Sequence, residues 1–193
     1  MLRGLEETGL QSGDTFSIIG LGPVGLMFIQ LAKLRGARVI ALGKRQSQLA
    51  VAQRMGADDV VNIAQVEDVV EAVRRCTLNG EGVDVAVEAV GTPQTWGWAA
   101  NMVRRGGMVN FFGGCPTGST IQLDTSLLHY SEITLKASFH HTPAYIRKAL
   151  DCLSRGEIRA KDFITGEAPL TRLPEILRHM ANRNGDLKTA IVP

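Results

Sequence analysis

The hexapeptide Gly20-Leu21-Gly22-Pro23-Val24-Gly25 constrains this chain more than any other feature. It follows an apolar, strand-like run, Thr15-Phe16-Ser17-Ile18-Ile19. It opens a run in which Val24, Met27, Phe28 and Leu31 recur at helical spacing. A glycine-rich turn between strand and helix has a specific physical use. The first glycine allows a tight turn, the second lets the backbone approach a pyrophosphate, and the third lets helix and strand pack closely. The helix N-terminus adds unpaired N–H groups and the positive end of a dipole, both of which favour phosphate. Gly20, Gly22, Pro23, Val24 and Gly25 therefore read as the phosphate-binding turn of a dinucleotide site.

Strand-like and helix-like segments alternate after this turn. Strands are expected at 14–20, 38–43, 59–62, 83–88, 107–112 and 133–137. Helices are expected at about 23–35, 46–55, 65–76 and 94–104, the last with Trp96, Ala99, Ala100 and Val103 as packing residues. Residues 119–131 carry no clear signal. This alternation predicts an α/β fold, a doubly wound parallel sheet of six strands with helices on both faces. Right-handed crossovers place the first strand centrally. The strand ends after residues 20, 43, 91 and 113 then gather at the carboxyl edge, where such sheets hold ligands. The tail differs. A helix over 144–155 is stopped by Gly156, and a short extended piece at 163–165 precedes a break at Pro169. A helix over about 172–183 carries Leu173, Ile176, Leu177 and Met180 inward, and a strand at 188–192 closes the chain. The expected organisation is a dinucleotide-binding domain over 1–156 and a C-terminal segment over 157–193.

The end of the second strand bears on cofactor choice. NAD-specific turns place an Asp or Glu about 20 residues past the glycines to accept from the ribose hydroxyls. No acid lies between Arg38 and Ala57, and Gly43-Lys44-Arg45 stands at that place. Losing the carboxylate removes its repulsion of a 2′-phosphate, and Arg can chelate phosphate oxygens in a bidentate way. Gly43, Lys44 and Arg45 thus point to NADP, with NAD as the alternative. Ser47 is a weaker candidate, and a solvated basic turn is the bland reading.

Other features argue mainly by exclusion. A net charge of +2 favours no nucleic acid, and no apolar run is long enough to span a bilayer. Cys76, Cys115 and Cys152 are far apart and odd in number, which suits a reducing, cytoplasmic setting. Cys76 shares a helical stripe with Val66, Val69, Val70 and Val73 and reads as core. Cys115 follows two glycines in a loop and has no basic neighbour. His140 and His141, if on a strand, point to opposite faces and cannot readily share a metal. Neither Tyr130 nor Tyr145 has a Lys four residues on, which argues against a Tyr-x-x-x-Lys acid. Glu88, at the end of the fourth strand, reads as a hydrogen-bonded carboxylate near the sheet edge. No catalytic residue and no metal ligand is assigned.

Several motifs in order resemble the medium-chain, zinc-type alcohol and polyol dehydrogenases. They are Gly-Leu-Gly-Pro-Val-Gly at 20–25, Val83-Asp84-Val85-Ala86-Val87-Glu88-Ala89-Val90-Gly91, and Arg105-Gly106-Gly107-Met108-Val109 with Phe112-Gly113-Gly114. The closing Asp186-Leu187-Lys188-Thr189-Ala190-Ile191-Val192 completes the set. The resemblance covers the whole chain and implies the cofactor-binding half of such an oxidoreductase. By the same resemblance Val90, Gly91, Phe112 and Gly113 line the nicotinamide and its ribose. By the resemblance, the zinc ligands and most of the substrate pocket are expected in an N-terminal domain outside these 193 residues. Zinc is therefore expected only there, and Glu6 and Glu7 do not sit in the ligand motif. The resemblance also implies pairing into a homodimer or larger assembly through the last sheet strand, at about 109–123. The apolar faces of Leu173, Ile176, Leu177, Met180 and Ile191 would lack their usual cover, which also favours association. The alternative is a non-catalytic nucleotide-binding or assembly module.

Overall fold

The computed structural model describes residues 1–181 and 187–193. The chain divides into two compact units, Met1–Arg147 and Lys148–Pro193.

In the first unit, helix α1 (Leu2–Glu6) precedes strand β1 (Thr15–Ile19). Then follow α2 (Pro23–Leu34), β2 (Arg38–Gly43), α3 (Gln46–Arg54), β3 (Asp59–Asn62) and α4 (Val69–Arg75). The second half runs β4 (Val83–Glu88), α5 (Pro93–Met102), β5 (Val103–Phe111), α6 (Thr125–Tyr130) and β6 (Thr134–Ala137). All six strands are parallel, in the order β3-β2-β1-β4-β5-β6. This is the doubly wound Rossmann order, and its switch point lies between β1 and β4. Alternation along the strands sorts the core into two layers. Ile19, Ile40, Leu42, Ala86 and Val109 pack with Val69 and Val73 of α4 and with Ala99 and Met102 of α5. On the opposite parity, Phe16 stacks on Phe28 of α2 with ring centroids 6.5 Å apart.

In the first unit, four segments differ from the sequence expectation. Helix α5 stops at Met102, and Val103 opens β5 instead of closing the helix. Val103 pairs with Val83, whereas Met108 pairs with Val85, so β5 bulges between the two pairings. Gly106 at φ +70° turns the bulge, and a Cβ at Gly107 would lie 2.8 Å from the Arg104 carbonyl. Helix α4 begins at Val69, because the Asp68 side chain accepts from the Glu71 N–H (3.0 Å) and caps it there. Residues 119–131 contain α6, capped by Asp124, which accepts from the Ser126 N–H at 2.8 Å. Leu127 and Leu128 reach the core from it. The expected pairing strand at 109–123 is also corrected. Val109–Phe111 lie in β5 between β4 and β6, so the last sheet strand is β6.

The second unit takes in the C-terminal part of α7 (Pro143–Ser154), then β7 (Ile164–Pro169), α8 (Leu173–Ala181) and β8 (Lys188–Val192). β7 and β8 form a two-stranded parallel sheet. The extended piece expected at 163–165 thus runs on to Pro169, which ends the strand. Residues 182 and 183 of the expected last helix, and Asp186 of the closing motif, lie outside the described residues. Among the described residues no helix is long and apolar enough to cross a membrane.

Candidate cofactor-binding edge

The three glycines of the first turn serve three different physical needs. Gly20 has φ +102°, and a Cβ there would lie 2.7 Å from Val90 Cγ2. A Cβ at Gly25 would lie 1.8 Å from the Gly20 carbonyl oxygen, so only glycine lets α2 pack against the turn. Gly22 is extended (φ −75°, ψ −177°) and is the N-cap of α2, with Pro23 at the first helical position. A Cβ at Gly22 would meet no protein atom within 4 Å. Packing within the chain therefore does not require this glycine, and the open space beside it would admit a close ligand. The first turn of α2 carries no acidic side chain, which suits an anion at its N-terminus.

Gly43, at the end of β2, touches this turn directly. A Cβ there would lie 2.7 Å from Leu21 Cδ1. Leu21 is buried and sits between the first two glycines. That contact places the exposed Lys44 and Arg45 immediately beside the turn. Arg45 is the N-cap of α3, and its Nε donates to Gln48 Oε1 at 3.0 Å. The sequence expectation took no account of Leu21, because its signal is a non-local contact.

The ends of β4 and β5 meet on the other side of the turn. Val90 is 49% exposed, and Gly91 has φ +82°. A Cβ at Gly91 would lie 2.4 Å from the Gly114 carbonyl. Phe112 turns its ring inward, edge-on to Phe28 with centroids 5.0 Å apart. It also fills the space beside Gly4 of α1. The Trp96 indole stacks on Phe111 at 3.9 Å, and its N–H donates to the Gly113 carbonyl at 2.9 Å. Trp96, Phe112, Cys115 and Phe139 help to line a cavity of about 490 Å³ beside these loops. Trp96 and Phe139 were not among the residues expected there.

Burial pushes the Glu88 carboxyl above the usual range, against the opposing N–H bonds of Gly91 and Val90. All three thiols are free, and desolvation raises each of them. None has the depressed pKa of a nucleophilic cysteine. His140 and His141 follow β6 in a loop, with His140 at φ +64° and ring centroids 6.4 Å apart. The strand geometry used to separate them therefore does not apply. Among the described residues no group of three or more His, Cys, Asp or Glu could hold a metal.

Residues 23–155 match the zinc-binding dehydrogenase family. The chain belongs to that family. A sorbitol dehydrogenase from Bacillus subtilis is 33% identical over 194 residues, which cover 100% of this chain and 54% of that protein. An NADP-dependent isopropanol dehydrogenase from Entamoeba histolytica is 31% identical over 203 residues, covering 98% of this chain and 53% of that one. A zinc-binding dehydrogenase from Sinorhizobium meliloti 1021, solved bound to NADP, superposes with a TM-score of 0.91 at 28% identity. It covers 100% of this chain and 56% of its own. This zinc-binding dehydrogenase chain thus spans about half the length of the relatives it matches. The motif order read in the sequence identified the family, and the sheet carries the fold that the resemblance implied.

Proposed function

We propose that this chain is the cofactor-binding part of an NADP-linked, zinc-type dehydrogenase that oxidises an alcohol- or polyol-like substrate. The open Cβ direction at Gly22, with Lys44 and Arg45 beside the same turn, carries this reading. In it, Gly20, Gly22, Pro23, Val24 and Gly25 seat the pyrophosphate at the N-terminus of α2. Lys44 and Arg45 take the 2′-phosphate, and Gly43 withholds the carboxylate that would repel it. Val90, Gly91, Phe112 and Gly113 border the nicotinamide end. The NADP-bound neighbour and the NADP-dependent relative support that choice over NAD.

The nicotinamide, once bound, supplies hydride transfer. This chain's residues bind and orient it. The zinc and the substrate pocket belong in this reading to a separate N-terminal domain. Residues 157–193 would complete that domain. The chain by itself therefore binds cofactor and turns over little substrate. The odd, widely spaced cysteines suit a cytoplasmic location. Association into at least a dimer goes with the open apolar faces of the second unit.

Calorimetric titration with NADP⁺ and NAD⁺ tests the reading. NADP⁺ binds more tightly, and Lys44→Ala and Arg45→Ala each weaken it by about tenfold, as expected for one charge-assisted contact. NAD⁺ affinity stays unchanged in both variants. Tighter binding of NAD⁺ by the unmodified chain sinks the phosphate assignment while leaving the fold intact.

A further inference from the structure

Glu88 is the only charged residue buried among the described residues, and its exposure is 0%. It ends β4, one of the two strands at the switch point. Its side chain and its backbone grip different loops. Oε1 accepts from the N–H of Val90 at 2.7 Å and of Gly91 at 2.9 Å, and Oε2 lies 3.2 Å from the Gly91 nitrogen. Its carbonyl oxygen accepts from the N–H of Phe112 at 2.9 Å and of Gly113 at 2.8 Å. One residue thus ties the loop after β4 to the loop after β5.

The fit leaves no room for side chains. A Cβ at Gly113 would lie 2.6 Å from the Gly91 nitrogen and 2.8 Å from Glu88 Oε2. Burial raises the Glu88 carboxyl above its ordinary range, so the charge costs stability where it sits. An apolar side chain in its place would leave the Val90 and Gly91 N–H groups without their acceptor, which costs stability in its turn. The clasp is, in addition, placed to act on the proposed site. The four backbone N–H groups it holds belong to the four residues assigned above to the nicotinamide end.

We propose that Glu88 is the positioning residue of the nicotinamide end, holding Val90-Gly91 and Phe112-Gly113 in the register that accepts the ring and its ribose. This rests on the proposed function. Glu88 touches no cofactor in it and acts only through the two loops.

The test compares NADP⁺ with adenosine 2′,5′-bisphosphate, which carries the 2′-phosphate but no nicotinamide. In the full chain, Glu88→Leu weakens NADP⁺ binding by at least about tenfold, the worth of a lost hydrogen bond to a charged group. Binding of the bisphosphate stays unchanged, since its partners lie at 43–45. Glu88→Gln keeps one acceptor oxygen for the two N–H groups and recovers most of the NADP⁺ affinity. Gly113→Ala pushes the clasp apart from the opposite side and reproduces the Glu88→Leu pattern, which covers the case of a leucine variant that does not fold. Equal weakening of both ligands would reduce Glu88 to a structural role. Unchanged NADP⁺ binding in Glu88→Leu and Gly113→Ala overturns the proposal outright. An unmodified chain that binds neither ligand refutes the proposed function itself and this inference with it, a result distinct from every variant outcome.

Discussion

The glycines of the first turn are one residue type with separable duties. Gly25 is needed by the fold, because any Cβ there collides with the Gly20 carbonyl at 1.8 Å. Gly22 has ordinary backbone angles and an open Cβ direction. Gly25→Ala should therefore destabilise the chain by about 1–3 kcal/mol or more, the usual cost of overpacking. Gly22→Ala should cost less than about 1 kcal/mol, as a weaker N-cap, yet abolish NADP⁺ binding. Thermal melts beside a titration check both. A Gly22→Ala protein that binds NADP⁺ normally would remove the main support for the proposed function. At this scale the sequence was legible. A glycine pattern at a strand–helix junction carries its own geometric reasons. It did not reveal Leu21 against Gly43, because the two are joined only by folding.

Among the elements, α1 shows how a short helix is held by tertiary contacts. Five residues are too few for an isolated helix in water. The buried Asn110 amide of β5 donates to the Gly4 carbonyl at 2.7 Å and to Ser138 Oγ at 2.9 Å. Ser138 Oγ in turn donates to Glu7 Oε2 at 2.6 Å, and Arg3 Nε pairs with Glu7 Oε1 at 2.8 Å. The Ser138 hydroxyl, and after it Arg3, hold the Glu7 carboxyl below its ordinary range. A depressed folded value means that this contribution is full above the ordinary glutamate range. It is lost as pH falls through the folded value. Wild-type chain should thus exceed Glu7→Gln in denaturation midpoint at neutral pH, and the gap should close on acidification. A gap that is independent of pH would show that Glu7 does not anchor α1. Element boundaries were the less legible part for the same reason. Val103 continues the apolar spacing of α5, and only its pairing with Val83 makes it strand.

Across the whole molecule, the two units differ in how much apolar surface they bury. The first has a two-layered core. Among the described residues of the second, only Ile158, Phe163 and Ala168 are buried hydrophobics. So short a segment cannot bury enough surface by itself. Leu150, Leu177 and Met180 remain 64%, 55% and 55% exposed, and such faces tend to find partners. We expect sedimentation to show at least a dimer at raised concentration, and Leu177→Glu with Met180→Glu to lower its share. A monomer at every concentration would count against association. The sequence by itself determined the alternation of strands and helices, the central place of the first strand, and the family. Each of these is written in local periodicity or in residues close along the chain. Only the tertiary structure decided that Glu88 ties two loops, that Phe112 packs inward, that β5 lies inside the sheet, and which apolar faces stay open. Those depend on contacts between residues far apart in sequence, which no spacing rule encodes.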